Sequence, residues 1–241
     1  MTDKKLDSKI KAKIRKGKQT IERMKGKQKK AIIFDMDGVL VDSEPIYQQM
    51  FRQFLMENNC TIDETVFRRI AGASSTGTWD IMAQLWYEDI CGETLHKEFR
   101  RQHPDFQIPY REALFPGVEE LLDTLQQKGY LIALASSSSE KLIRRMLAET
   151  GLYKYFSFFI SGNMFRESKP NPEIYEYAWS LTGFAKEECL LVEDSTYGIQ
   201  AGRAAGLEVA AIRDYELGYD QSLANYLLEK ITDLKNILEI N

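Results

Sequence analysis

Ala31-Ile32-Ile33-Phe34-Asp35-Met36-Asp37-Gly38 is the stretch on which the reading of this chain turns. Four apolar residues, entered from a lysine stretch and left at an acid, form the short run expected of a buried strand. Two carboxylates, Asp35 and Asp37, therefore stand at the carboxyl end of that strand. In open α/β sheets this is the end at which ligands bind.

Downstream, from Phe115, strand and helix patterns alternate. Helix 117–128 is closed by Gly129 in a C-cap position. It is followed by strand 130–135, helix 139–150, strand 157–161, helix 172–183, strand 189–193, helix 197–205 and strand 207–212. Alternation of this kind predicts right-handed βαβ units around a mainly parallel sheet, an α/β fold of Rossmann-like type. Between the first strand and this series the pattern is helical, at about 45–58, 64–71, 77–91 and 94–102, and rich in aromatic residues and Met. A block of ~65 residues is too long for a loop in a compact domain. The expected division is a basic extension at 1–30, a core at 31–44 and 112–241, and an inserted helical cap at 45–111.

Composition narrows the function classes. The 241 residues are 44% hydrophobic and 28% charged, the balance of a soluble globular protein. No apolar run approaches the ~20 residues that cross a bilayer. The basic N-terminus lacks the apolar stretch of a secretory signal, so a cytoplasmic location is expected. Cys60, Cys91 and Cys189 are scattered, without metal-ligand spacing, and read as buried reduced thiols. The net charge of −4 conceals an asymmetry: residues 1–30 carry +10 and the rest of the chain −14. In the extension Leu6, Ile10, Ile14, Ile21 and Met24 fall on one helical face, a pattern shared by helices that bind nucleic acid or anionic surfaces. Gly17, Gly26 and the lack of any aromatic residue favour a solvated extension instead.

The strand ends give a coherent set of groups. Asp35 and Asp37 follow strand 31–34, Ser136-Ser137-Ser138-Ser139 follows strand 130–135, and Glu193-Asp194-Ser195 closes strand 189–193. Lys169 precedes a helix begun by Pro172. Clustered carboxylates without a cation repel one another, and Mg²⁺ accepts one or two carboxylates together with phosphate oxygens and water. Asp35 and Asp194 would hold the ion. Ser136 and adjacent N–H groups would take phosphate oxygens, with Lys169 neutralising the group in transfer. Asp35 would attack phosphorus, and Asp37 would protonate the leaving oxygen and then activate water.

The order of these groups resembles the haloacid dehalogenase superfamily. Phe34-Asp35-Met36-Asp37-Gly38-Val39-Leu40-Val41-Asp42-Ser43-Glu44 looks like its first motif. Ala135-Ser136-Ser137, Lys169-Pro170-Asn171-Pro172-Glu173 and Val192-Glu193-Asp194-Ser195 follow in family order. The resemblance spans about 31–213 and is strongest to the β-phosphoglucomutase-like branch. It implies Asp35 as nucleophile and Mg²⁺ ligand, and Asp37 as acid/base that also ligates metal through its carbonyl. Ser136, Ser137 and Lys169 would bind the phosphoryl group, and Glu193 and Asp194 would complete the metal site. An acid at position 37 is what the superfamily's dehalogenases lack, which points to phosphate chemistry.

Two departures bear on the acceptor. Where β-phosphoglucomutases carry a cap histidine this chain has Tyr47, and where they carry a phosphate-binding cap arginine it has Ser75. Loss of a cap cation removes charge-assisted phosphate contacts. Arg68, Arg69, Lys97, Arg100 and Arg101 are the cap residues that would replace it. The expected function is a phosphohydrolase for a small phosphate monoester, a sugar phosphate or similar metabolite. The alternatives are a β-phosphoglucomutase-type mutase and a binding protein on the same fold that uses the basic extension. Phe51, Phe54, Leu55, Trp79, Trp86 and Tyr87 are expected to pack the cap, and His96 and His103 to lie on the surface.

Overall fold

A computed structural model describes residues 29–70 and 75–240 of the chain. The expected role of residues 1–30 therefore lies almost wholly outside the described residues. Six parallel strands form one sheet: β1 (Ala31–Phe34), β2 (Leu131–Ser136), β3 (Phe158–Ser161), β4 (Cys189–Glu193), β5 (Glu208–Ile212) and β6 (Tyr226–Leu228). Their order is β3-β2-β1-β4-β5-β6. The fold class expected from the alternating pattern is the one observed.

Every residue of β1 is buried, as a parallel strand covered on both faces requires. Its period-two geometry divides the core. Ile32 and Phe34 join a layer with Val118, Leu121, Ile143 and Met146, from α5 (Val118–Gln127) and α6 (Glu140–Thr150). Ala31 and Ile33 join the opposite layer with Ile174, Tyr175, Ile199 and Ala201, from α7 (Glu173–Thr182) and α8 (Thr196–Ala204). Full burial of an Ile or Phe side chain contributes about 1.5–3 kcal/mol, so β1 is anchored from both sides.

The helical block comprises α1 (Glu44–Glu57), α2 (Glu64–Phe67), α3 (Ser75–Ala83) and α4 (Gly92–Gln102). The chain enters and leaves this block side by side. Asp42 N–H donates to the Ala113 carbonyl at 2.7 Å, and Phe115 N–H to the Leu40 carbonyl at 3.0 Å. The block has its own aromatic cluster, in which Phe54 lies 5.1 Å from Trp86 and 5.3 Å from Phe99 between ring centres.

Several local expectations are corrected. The helix expected over 77–91 ends at Ala83, where three successive i→i+3 bonds turn the chain so that Leu85 and Trp86 enter the aromatic cluster. Tyr87 stays outside it, 63% exposed. His103 is half-buried, with Nε2 3.0 Å from Glu57 Oε2. Cys189 is buried, but Cys60 is half-buried and Cys91 exposed. The strand β6 lay outside the sequence-based expectation. Among the described residues, no helix is long and apolar enough to cross a membrane.

Candidate active site

β1 is the topological switch point of the sheet, with β2 on one side and β4 on the other. In register, Phe34 faces Leu134 and Val192, so the residues just beyond all three strands share one rim. A cleft of about 790 Å³ opens above that rim, lined by Asp35, Asp37, Ser136, Ser137, Lys169 and Asp194. Six of the seven sequence-predicted site residues thus meet in one cavity. Glu193 lies behind them.

The turn after β1 sets the two acids. Leu40 N–H donates to the Met36 carbonyl at 2.8 Å, and Gly38 N–H to that of Val41 at 2.9 Å. Gly38 has φ +76°, and a Cβ there would lie 2.0 Å from Asp194 Oδ2. Glycine both permits the turn and makes room for the carboxylate from β4.

Asp35 is buried, and its Oδ1 accepts from Lys169 Nζ at 2.6 Å. Burial pushes its carboxyl up to about 7 against the pull of Lys169. The lysine follows the opposite balance. Burial works against its charge, but Asp35 and Glu193 outweigh it and hold the ammonium well above the ordinary lysine range. Asp37 is clasped by two hydroxyls: Ser43 Oγ donates to Oδ1 at 2.5 Å and Ser138 Oγ to Oδ2 at 3.0 Å. Burial raises the Asp37 carboxyl, and both serines counter the rise.

The serine run divides its tasks. Ser136 Oγ accepts from Ser138 N–H at 3.0 Å, Ser137 lines the cleft, and Ser139 caps α6 by accepting from Leu142 N–H. Ser43 and Ser138 were within the stretches singled out from sequence, but their hold on Asp37 was not anticipated. A hydroxyl beside an acid carries no directional signal until the turn is built.

Glu193, expected to help complete the metal site, sits behind the cleft. It is wholly buried, and its oxygens are committed to protein donors. Oε1 accepts from Lys169 Nζ at 2.7 Å and Tyr175 OH at 2.6 Å. Oε2 accepts from the N–H groups of Asp194 and Ser195 and from Ser195 Oγ. Burial alone would raise its carboxyl, but Lys169, Tyr175 and Asp194 N–H hold it low.

Comparison with known proteins fits this geometry. Residues 32–212 match the family of haloacid dehalogenase-like hydrolases. The chain belongs to that family. A phosphorylated carbohydrates phosphatase of Thermotoga maritima is 33% identical over 74% of this chain and 82% of its own length. A phosphoglycolate phosphatase of Nitrosococcus oceani is 28% identical over 88% and 97% of the two chains. A solved Thermotoga maritima structure, provisionally described as a β-phosphoglucomutase, superposes with TM-score 0.68 at 28% identity. It covers 87% of this chain and 98% of the other. Within the family the chain falls in the β-phosphoglucomutase-like branch.

The donor set fits the divalent cation that this family implies. Burial, and then the nearness of Glu193 and Asp35, raise the Asp194 carboxyl well above the usual carboxylate range. Asp35, Glu193 and Asp194 thus crowd around one lysine, a surplus of negative charge that a hard cation relieves. Among the described residues, no three acidic, His or Cys side chains converge as a preformed cage. Mg²⁺ needs only one or two carboxylates, the remaining positions going to water and substrate oxygens. Asp35 and Asp194 would supply them.

The side of the cleft formed by the helical block is built otherwise. Tyr47 lines it, stacked on Phe51 at 5.8 Å and tilted against Phe106 at 6.1 Å. Burial, and then the charge of Asp37, raise its hydroxyl. Of the cap cations named from sequence, Lys97 and Arg101 pair on the exposed surface with Glu93 and Glu98, and Arg69 reaches Gln84. The side chains of Arg68 and Ser75 lie outside the description. Arg100 lines the cleft, its guanidinium against the carbonyl oxygens of Phe106 (3.3 Å) and Pro104 (3.5 Å).

Proposed function

We propose that this chain is a cytoplasmic, magnesium-dependent phosphatase of small phosphate monoesters, sugar phosphates among them, working through an aspartyl-phosphate on Asp35. The family makes it a phosphatase or phosphomutase of the haloacid dehalogenase type. The observation that carries the finer reading is the pairing of Asp35 with Lys169 at 2.6 Å beside an Asp37 clasped by two serines.

In this reading Asp35 attacks the phosphorus of the bound ester while the bond to the alkoxy oxygen breaks. Asp37, whose carboxyl burial keeps toward the protonated form, delivers a proton to that oxygen. Ser136, Ser137 and Lys169 hold the non-bridging oxygens. Bound through Asp35, Asp194 and the Asp37 carbonyl, Mg²⁺ would supply charge neutralisation at the transferring group. Asp37 then takes a proton from water as its oxygen attacks phosphorus, and the acyl phosphate bond breaks to regenerate Asp35. Glu193 acts as a positioning residue and not as a ligand. The segment 45–111 serves as the cap, and its aromatic wall excludes bulk water above the rim.

The experiment is Asp35→Asn, expected to abolish Mg²⁺-dependent phosphate release from a panel of phosphorylated metabolites. Substantial turnover by that variant would refute the nucleophile. The likeness to the β-phosphoglucomutase-described structure keeps transfer to a sugar hydroxyl as the second reading. Incubation with β-glucose 1-phosphate and a bisphosphate primer separates the two. Phosphate release outrunning isomerisation supports the hydrolase, with Tyr47 in place of the cap histidine.

A further inference from the structure

Lys169 is held from three directions. Its Nζ lies 2.6 Å from Asp35 Oδ1, 2.7 Å from Glu193 Oε1 and 4.8 Å from the centre of the Tyr175 ring. Tyr175 is wholly buried in the first turn of α7, and its hydroxyl donates to the same Glu193 Oε1 at 2.6 Å. One carboxylate oxygen therefore serves two donors, the ammonium and the phenol. The other oxygen is already taken by Asp194, Ser195 N–H and Ser195 Oγ. Gly198 closes the arrangement from α8. A Cβ there would fall 1.7 Å from Oε1, so only glycine leaves the carboxylate where both donors reach it.

The consequence is electrostatic. A buried carboxylate deprived of one donor draws harder on the other. By supplying the second hydrogen bond, the phenol limits the claim of Glu193 on the ammonium. We propose that Tyr175 is a positioning residue for Lys169, its hydroxyl sharing Glu193 so that the lysine stays available to Asp35 and to the phosphoryl group in transfer. This rests on the phosphatase reading of the same site.

The test uses the full chain with Mg²⁺, p-nitrophenyl phosphate as substrate and orthovanadate as a charged mimic of the phosphoryl group. Tyr175→Phe keeps the ring under the ammonium and removes only the hydroxyl. It is expected to lower kcat/KM roughly 10- to 100-fold, the range for one hydrogen bond to a charged group, and to raise the vanadate Ki by a similar factor. Gly198→Ala, which displaces Glu193 while favouring the helix, is expected to do the same. Tyr177→Phe on the exposed face of α7 is expected to change neither quantity. Wild-type Ki and kcat/KM in Tyr175→Phe would overturn the inference even if the melting temperature fell, since the hydroxyl would then serve stability alone. So would a loss of turnover with an unchanged vanadate Ki, or a folded Gly198→Ala with wild-type Ki. A wild type releasing phosphate from neither p-nitrophenyl phosphate nor any phosphorylated metabolite would remove the phosphatase reading and this inference with it, an outcome read in the wild-type arm alone.

Discussion

The two walls of the cleft are built on different principles. The core wall consists of groups just beyond the strand ends, joined by Lys169 from the loop before α7 and backed by Glu193 at the end of β4. Asp35, Asp37, Lys169 and Glu193 are each tied to at least one neighbour by a bond of 2.5–2.7 Å. The cap wall is made of aromatic rings that pack among themselves, with Arg100 as a cation resting on carbonyl oxygens. Chemistry that must recur unchanged is placed where the backbone leaves no freedom. In the proposed reading, recognition falls on side chains whose setting a few substitutions would change.

The largest effects are expected on the core wall. Asp37→Asn should lower turnover of an alkyl phosphate roughly 10²- to 10⁴-fold, the range for a lost general acid/base. With p-nitrophenyl phosphate, whose leaving group needs no proton, the first step should survive, and steady-state against burst kinetics will show it. If the p-nitrophenol burst were lost as completely as alkyl phosphate turnover, Asp37 would not be the acid.

The cap should answer in stability before chemistry. Phe54→Ala removes the ring at the centre of the aromatic cluster, against Trp86 and Phe99, and should cost about 3–5 kcal/mol by denaturant unfolding. A loss confined to that transition, with kcat retained in the folded fraction, would sharpen the distinction between the two walls.

Arg100→Gln should raise KM roughly 10-fold for a monoester bearing a second anionic group, consistent with one charge-assisted contact. It should leave p-nitrophenyl phosphate unaffected. An equal change for both substrates would move Arg100 out of recognition.

The smallest effect is a shift in pH. Ser138 donates to the Asp37 carboxylate and so favours its charged form. Ser138→Ala should raise the Asp37 pKa further, so that more of the acid remains protonated as pH rises. The alkaline fall of kcat/KM for an alkyl phosphate would move to higher pH. A shift to lower pH would show that Ser138 does not govern this acid.

What the sequence disclosed follows the same line between the walls. Ala31–Phe34, Leu131–Ser136 and Cys189–Glu193 are short apolar runs because both faces of the sheet are covered, and the acids after them had nowhere else to stand. Tyr226–Leu228 escaped notice because three residues at a sheet edge, one of them exposed, make no periodic signal. Glu193 was expected to complete the metal site from its place on the rim, and its bonds to Tyr175 and Ser195 were not visible there. The first joins β4 to α7 across the core, and the second turns back within the loop that follows β4. The five cap cations were indistinguishable along the chain. Pairing on the outer face of α4 separated Lys97 and Arg101 from Arg100.

The covalent step remains the centre of the account, and one measurement reaches it directly. Asp37→Asn, supplied with p-nitrophenyl phosphate and Mg²⁺, should complete the first transfer and stall before hydrolysis. Acid quenching, proteolysis and mass spectrometry should then find one phosphoryl group on the peptide that contains Asp35, at Asp35 itself. A phosphoryl group on Ser136 or another side chain, or release of p-nitrophenol with no covalent adduct, would contradict it.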